Sequence, residues 1–245
     1  KAVHHLTAAA RTADGRNAID ESVELWRQAV ATTALVRDPD PVERSRLLTA
    51  LARAEIRMGA NVNAREHIGA AMTIGRSAGR WDLVGEAATV LAGGGAWSWR
   101  PYNTSDDAMI DALRECLTHL PEGPLMARVL AALQMEYYIA RRLDAAEQCG
   151  RRSVAMARTV GDPDILVRVL LLRALGTWGP GTHVERRSIG AELLALPLRG
   201  DLEVAALFQY GCALHEAGCP IEADAIMDRC RTVAADLRHT AADVP

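Results

Sequence analysis

After Lys1 the chain contains no further lysine, and this absence narrows its chemistry. A phosphate loop of the GxxxxGK(S/T) type needs a lysine behind its glycines, so the Gly93-Gly94-Gly95 run does not read as a nucleotide cradle. It reads as a helix terminator ahead of a loop. Aromatics are scarce at 4%, with Phe208 the single phenylalanine, so a core must be built from Ala, Leu, Val and Met. A basic excess is also lacking: 28 Lys and Arg against 31 Asp and Glu leave a net charge of −3. Binding of nucleic acid over a whole domain goes with the opposite balance, so no direct nucleic-acid partner is expected. The pairs Arg141-Arg142, Arg151-Arg152 and Arg186-Arg187 are short and read as solvated helix faces. The five cysteines form no CxxC pair, and most lie in apolar helical stretches where a thiol behaves as a small hydrophobe. A reducing cytoplasm is the simplest setting. No apolar run approaches about 18 residues and no charged-then-apolar leader is present, so neither a membrane span nor a signal peptide is expected.

What the chain does contain is a returning helical hairpin. Leu51-Ala52 stands before Ala64, Ile68 and Ala71. The same offsets recur as Leu133-Gln134 before Ala146, Gly150 and Ser153, and as Tyr210-Gly211 before Ala223, Met227 and Cys230. The recurrence is close to two stretched units of about 34 residues, the period of the tetratricopeptide repeat (TPR). The expected fold is all-α: TPR-like antiparallel hairpins stacked in a right-handed superhelix, one domain over 1–245. The ends at Lys1 and Pro245 both suggest a piece of a longer protein.

Breakers divide the helices. Asp38-Pro39-Asp40-Pro41 ends one helix and starts the next, because proline disfavours helix before itself and suits the first helical position. Gly59, Gly79, Pro121 to Pro124 and Gly161-Asp162-Pro163 act likewise. Helices are expected near 6–13, 17–36, 42–58, 62–78, 81–92, 106–119, 124–139, 143–160, 164–176, 183–196, 201–217 and 220–238. Thr104 or Ser105 is expected to cap the sixth. Irregular loops interrupt the ladder at 96–103 and 177–182.

Those loops carry a family resemblance. The run from Gly93 to Tyr102 (GGGAWSWRPY), the LPEGPLMARVL run at 120–130, Gly161-Asp162-Pro163 and Leu175 to Pro180 (LGTWGP) all contribute. Together they resemble the TPR-like region of large actinobacterial transcriptional regulators of the SARP and LuxR (MalT-like, signal-transducing ATPase) types. The resemblance implies a regulatory sensor module in signal transduction. Its helical repeats would relay to ATPase and DNA-binding domains outside this chain.

Catalytic and metal chemistry find little support. Ser105-Asp106-Asp107 is explained as a helix start, where negative charge meets the helix dipole. Cys212, His215 and Cys219 would span about 10 Å on a continuous helix, too far for one tetrahedral ion. No catalytic residue, cofactor or metal ligand is expected. Binding is the better candidate. In a TPR stack the first helix of each pair lines the concave side, which here presents Arg46, Arg53, Arg57, Arg128 and Tyr138, with Trp178 just past a helix end. Arginine offers a planar fork for carboxylate or phosphate, and Tyr and Trp are common interface anchors. The alternative is that these arginines pair with nearby acids and the aromatics pack inside. Trp97, Trp99, Arg100 and Tyr102 in the first irregular loop have two readings as well: a plug where the register slips, or a docking loop. The expected partner is a protein, a peptide or other domains of the same chain, with a small effector and self-association as further expectations. A small-molecule sensor with an apolar pocket in the concave face is the second functional reading.

Overall fold

The structure, a computed structural model, describes the backbone of residues 1–93 and 103–242 and the side chains of 1–92 and 103–237. Among the described residues there are twelve α-helices and no strand. They are α1 Ala2–Gly15, α2 Ile19–Ala34, α3 Pro41–Met58, α4 Asn61–Ser77, α5 Trp81–Ala88, α6 Asp107–His119, α7 Pro124–Ile139, α8 Leu143–Val160, α9 Pro163–Gly176, α10 His183–Leu194, α11 Asp201–Glu216 and α12 Pro220–Ala242. A short 3-10 turn, Leu91–Gly93, follows α5. The all-α expectation holds, and most helix limits lie within a few residues of those read from the breakers.

Local chemistry explains the limits. Pro41 and Pro163 open α3 and α9, each behind an aspartate whose carboxylate accepts from the first turn: Asp40 from Val42 N at 3.0 Å, Asp162 from Asp164 N at 2.8 Å. At α6 the accepting group is Asp106, which takes the Met109 N–H at 3.1 Å, in place of the expected Thr104 or Ser105. Helix α5 stops at Ala88, short of the expected 92. There the β-branched Thr89 turns its hydroxyl onto Glu86 O at 3.2 Å, a local bond that competes with helix continuation.

Five turns between consecutive helices share one form. A residue in the left-handed region is followed by an N–H that reaches back five residues, which satisfies a carbonyl at the helix end. At Gly59 (φ 83°) the Ala60 N–H bonds Glu55 O at 2.8 Å. At Arg141 (φ 59°) the Arg142 N–H bonds Tyr137 O at 2.8 Å, although here the left-handed residue carries a Cβ. Asn17, Gly79 and Gly218 complete the set.

The chain forms two compact units: Lys1–Gly94 with Thr118–Leu120 and Thr240–Pro245, and Gly95–Leu117 with Pro121–His239. In the first, each of α1 to α4 packs on the next, and α5 also packs on α3. Its core joins Ala10, Val23, Trp26, Ala29, Leu47, Leu51 and Ala54. Asp14 ties three helices there: it accepts from Ser22 Oγ at 2.6 Å and Trp26 Nε1 at 3.0 Å, and ion-pairs Arg57 at 3.0 Å.

In the second unit α7, α8 and α9 pack mutually, and so do α9, α10 and α11. One core cluster joins Val167, Leu170, Leu171, Ala174, Ile189, Leu193 and Ala206. The recurring alanines Ala64, Ala146 and Ala223 are all buried, as expected of small residues at helix crossings.

The three hairpins share a contact as well as a spacing. In α3–α4, Ser45 Oγ donates to Ala71 O at 3.2 Å. In α7–α8, Ser153 Oγ donates to Ala127 O at 3.0 Å. In α11–α12, Cys230 Sγ donates to Val204 O at 3.6 Å. Each links residues 26 apart, at corresponding stations, though the donor lies on the first helix in one hairpin and on the second in the other two. A second pair of stations exchanges large for small. The Gln134 side chain occupies the space a Cβ on Gly150 would take, whereas in the third hairpin Met227 occupies the space beside Gly211.

Candidate functional site

Among the described residues of the second unit, Arg173 and Arg186 are buried, each held by carboxylate from neighbouring helices. Arg173 lies in the middle of the leucine-rich α9, with 4% of its side chain exposed. Its guanidinium ion-pairs Glu147 on α8 at 2.7 Å and Glu185 on α10 at 2.6 Å. Burial works against the Arg173 charge, but the two carboxylates outweigh it and raise the group above its usual range. In turn the hydrogen bond from Arg173, supported by Arg151, holds the Glu147 carboxyl below its usual value. Gln134 of α7 lies alongside and donates its amide to Leu172 O at 3.3 Å and Arg173 O at 3.4 Å.

The other arginine, Arg186, belongs to the first turns of α10 and is 3% exposed. Its Nη2 ion-pairs Glu216 at the end of α11, and its Nε donates to Thr182 Oγ1 at 3.2 Å. The Trp178 ring lies over the guanidinium, 4.8 Å from centroid to Cζ, a cation–π arrangement. Trp178 is in turn tethered through its backbone, where Tyr138 Oη donates to Trp178 O at 2.6 Å. The ends of α7, α9 and α11 and the start of α10 thus meet in one polar cluster. Cys212, half-buried on α11, lies close enough to feel Glu216 and Arg186, and burial pushes its thiol up. Cys149 and Cys230 are raised by burial as well, which keeps them neutral thiols.

Of the residues expected on the binding face, the structure joins Tyr138 and Trp178 directly. Arg128 is half-buried on α7. Arg46, Arg53 and Arg57 lie on α3 in the first unit, where Arg46 and Arg53 are exposed. Arg57 is half-buried and engaged: it ion-pairs Asp14 and donates to Asn17 Oδ1, the acid-paired alternative. Trp97, Trp99, Arg100 and Tyr102 lie outside the described residues. His215 is exposed and Phe208 half-buried. Among the described residues no three His, Cys, Asp or Glu side chains come together as a metal site.

Reading Arg186-Arg187 as a solvated pair needs correction, since only Arg187 is exposed. Arg186 faces inward because Glu216 and Trp178 supply a counter-charge and a π-face there. Arg173 belongs to no motif in the sequence, and Arg186 reads there as half of a short basic pair. The available signal was an arginine inside the apolar run of α9, with acids on both flanking helices.

The chain matches no family model and no curated protein. Among solved structures it is similar to BtubC (BKLC) from P. vanneervenii, with 15% sequence identity and a TM-score of 0.47, covering 96% of this chain and 81% of that one.

Proposed function

We propose that the chain is a non-catalytic interaction module, built as a TPR-like stack of hairpins, in a cytoplasmic transcriptional regulator. In this reading its first-helix faces receive a protein or peptide partner. Occupancy is relayed to ATPase and DNA-binding domains outside the chain. The observation that carries the reading is the shared station contact in α3–α4, α7–α8 and α11–α12. Hairpins that repeat one packing contact are equivalent units, and arrays of such units commonly serve as extended partner surfaces. The contacts of α3 with α5, α7 with α9 and α9 with α11 are the neighbour relations such a stack requires. The coding sequence on either side of this segment tests the assignment. A Walker phosphate loop upstream is the expected finding, and a catalytic domain of another kind in its place contradicts the regulator reading.

The second reading, a small-molecule sensor, draws on a different observation. The Tyr138–Trp178–Arg186–Glu216 cluster sets a guanidinium beneath an aromatic ring. Small-ligand sites commonly combine an apolar lining with a few placed polar groups. Stabilisation of the folded chain by a metabolite, read as a rise in melting temperature, distinguishes this reading from a purely macromolecular one.

A further inference from the structure

The first helices of the hairpins differ in what they leave open. Val129 to Met135 of α7 and Val169 to Gly176 of α9 are buried without a break. At about 3.6 residues per turn, unbroken runs of that length leave no side of the helix facing water. In α3 the burial is interrupted at Arg46, Ala50, Arg53 and Arg57, whose steps of four, three and four make one stripe along the helix. Arg46 and Arg53 are exposed, and Ala50 between them is small enough to let another backbone approach. Neighbouring acids do not neutralise the stripe. Glu55 is fully buried against Arg27 and His67, and Asp14 is taken up by Ser22, Trp26 and Arg57. Glu43, the other acid of α3, lies in the first turn, where the helix dipole favours it. Arg46 enters no ion pair among the described residues.

We propose that the exposed stripe of α3 is the docking surface for an extended acidic peptide segment, with Arg46 and Arg53 as its two cationic contacts. Seven residues along an α-helix rise about 10.5 Å, which sets the spacing of the two guanidinium groups. A segment in the polyproline conformation rises about 3.1 Å per residue with three residues per turn, so acids at every third position lie about 9 Å apart on one side. Two such carboxylates meet the two arginines in register, and each guanidinium can fork one of them. A nucleic-acid backbone fits less well. Its affinity comes from many phosphate contacts, whereas the stripe offers Arg46 and Arg53, with Arg57 already engaged by Asp14 and Asn17, in a chain of net charge −3. The inference rests on the reading that first-helix faces receive a partner. It names which face and what chemistry.

The test is fluorescence anisotropy of the whole chain with four labelled probes. These are four repeats of Glu-Pro-Ala, four of Gln-Pro-Ala, four of Lys-Pro-Ala, and an oligothymidylate of matching length. The Glu peptide is expected to bind saturably and more weakly as salt rises, while the other three do not bind. Arg46→Gln with Arg53→Gln is expected to weaken binding about tenfold without moving the melting temperature, because both side chains are exposed. Arg46→Glu with Arg53→Glu is expected to lose the Glu peptide and gain the Lys peptide, a reversal that mere loss of structure cannot produce. Arg168→Gln, which changes an exposed arginine on α9, is expected to bind as wild type does. The proposal is overturned if the Glu peptide does not bind, if the Gln peptide or the oligonucleotide binds as tightly, or if the α3 variants bind the Glu peptide as wild type does. In that last case the partner sits on another face, so the interaction-module reading stands while this inference fails. None of these results bears on which domain lies upstream.

Discussion

Glu55 and Arg173 occupy the same station in two hairpins with the charges reversed. Each is buried in the first helix of its pair, and each meets a partner twelve residues on in the second helix: His67 for Glu55, Glu185 for Arg173. Each is also held from the preceding helix, Glu55 by Arg27 of α2 at 3.4 Å and Arg173 by Glu147 of α8 at 2.7 Å. One buried charge therefore links three successive helices in each unit. The α9–α10 hairpin keeps this spacing although its connecting loop is longer.

The buried charge sets an order of stabilities. Removing both carboxylates with Glu147→Ala and Glu185→Ala leaves Arg173 buried without counter-charge, and should cost roughly 3 kcal/mol. Arg173→Met removes the charge itself and keeps much of the volume, so it should cost less. Urea unfolding of the two variants gives the comparison; equal losses would mean that desolvation of the arginine is not the governing effect.

Gln134 has tight limits. A Cβ at Gly150 would lie 2.2 Å from Gln134 Oε1, and one at Gly176 would lie 2.0 Å from Nε2. Gly150→Ala is expected to destabilise by about 1–3 kcal/mol through overpacking, despite the better helix propensity of alanine. Gln134→Ala in the same chain should relieve part of that loss, because Arg173 Nη1 also lies 2.6 Å from the Gly150 Cβ position. Gly69 in α4 is the control: nothing lies within 4 Å of its Cβ position, so Gly69→Ala should gain about 0.5–1 kcal/mol. Thermal unfolding of the four proteins reads out both signs.

Acid should loosen the second unit through Glu147. Its carboxyl is depressed in the folded state by the hydrogen bond from Arg173, with a usual value of 4.5. The stability it contributes is therefore complete above that usual value, and it is lost as the pH falls through the lower folded value. In urea midpoints taken from about pH 6 to pH 3, Glu147→Gln should flatten the acid limb; an unchanged limb would assign the acid sensitivity to other carboxylates.

The shared hairpin contact predicts two matched losses. Ser45→Ala and Ser153→Ala each remove a buried hydroxyl from a helix carbonyl, and each should cost about 1 kcal/mol. Cys230→Ser carries the serine of the second hairpin into the third and should be tolerated. Chemical denaturation of the three variants checks whether corresponding stations behave alike.

Much of the fold was legible because its punctuation is chemical. Proline at helix starts, glycine at left-handed turns and small residues at crossings act locally, so spacing alone reveals them. The buried arginines were not legible. Arg186 stands beside the exposed Arg187, and only the placement of Glu216, thirty residues on, turns it inward. Arg173 and Glu55 likewise depend on partners from two other helices, and one sequence does not show which distant acid or base will meet them. Tyr138 and Trp178 were named individually from their position at first-helix ends. The bond between them depends on how α7 meets the end of α9.

For a regulator of the proposed kind, nucleotide hydrolysis compared with that of the same protein carrying Arg46→Glu, Arg53→Glu and Arg128→Glu tests the interaction-module reading most directly. The altered protein is expected to stay folded while its hydrolysis rate, or its response to a partner, changes several-fold, and the 245-residue chain alone is expected to turn over neither esters nor phosphates. Identical rates and responses in the two parent proteins, or turnover by the isolated chain, would contradict it.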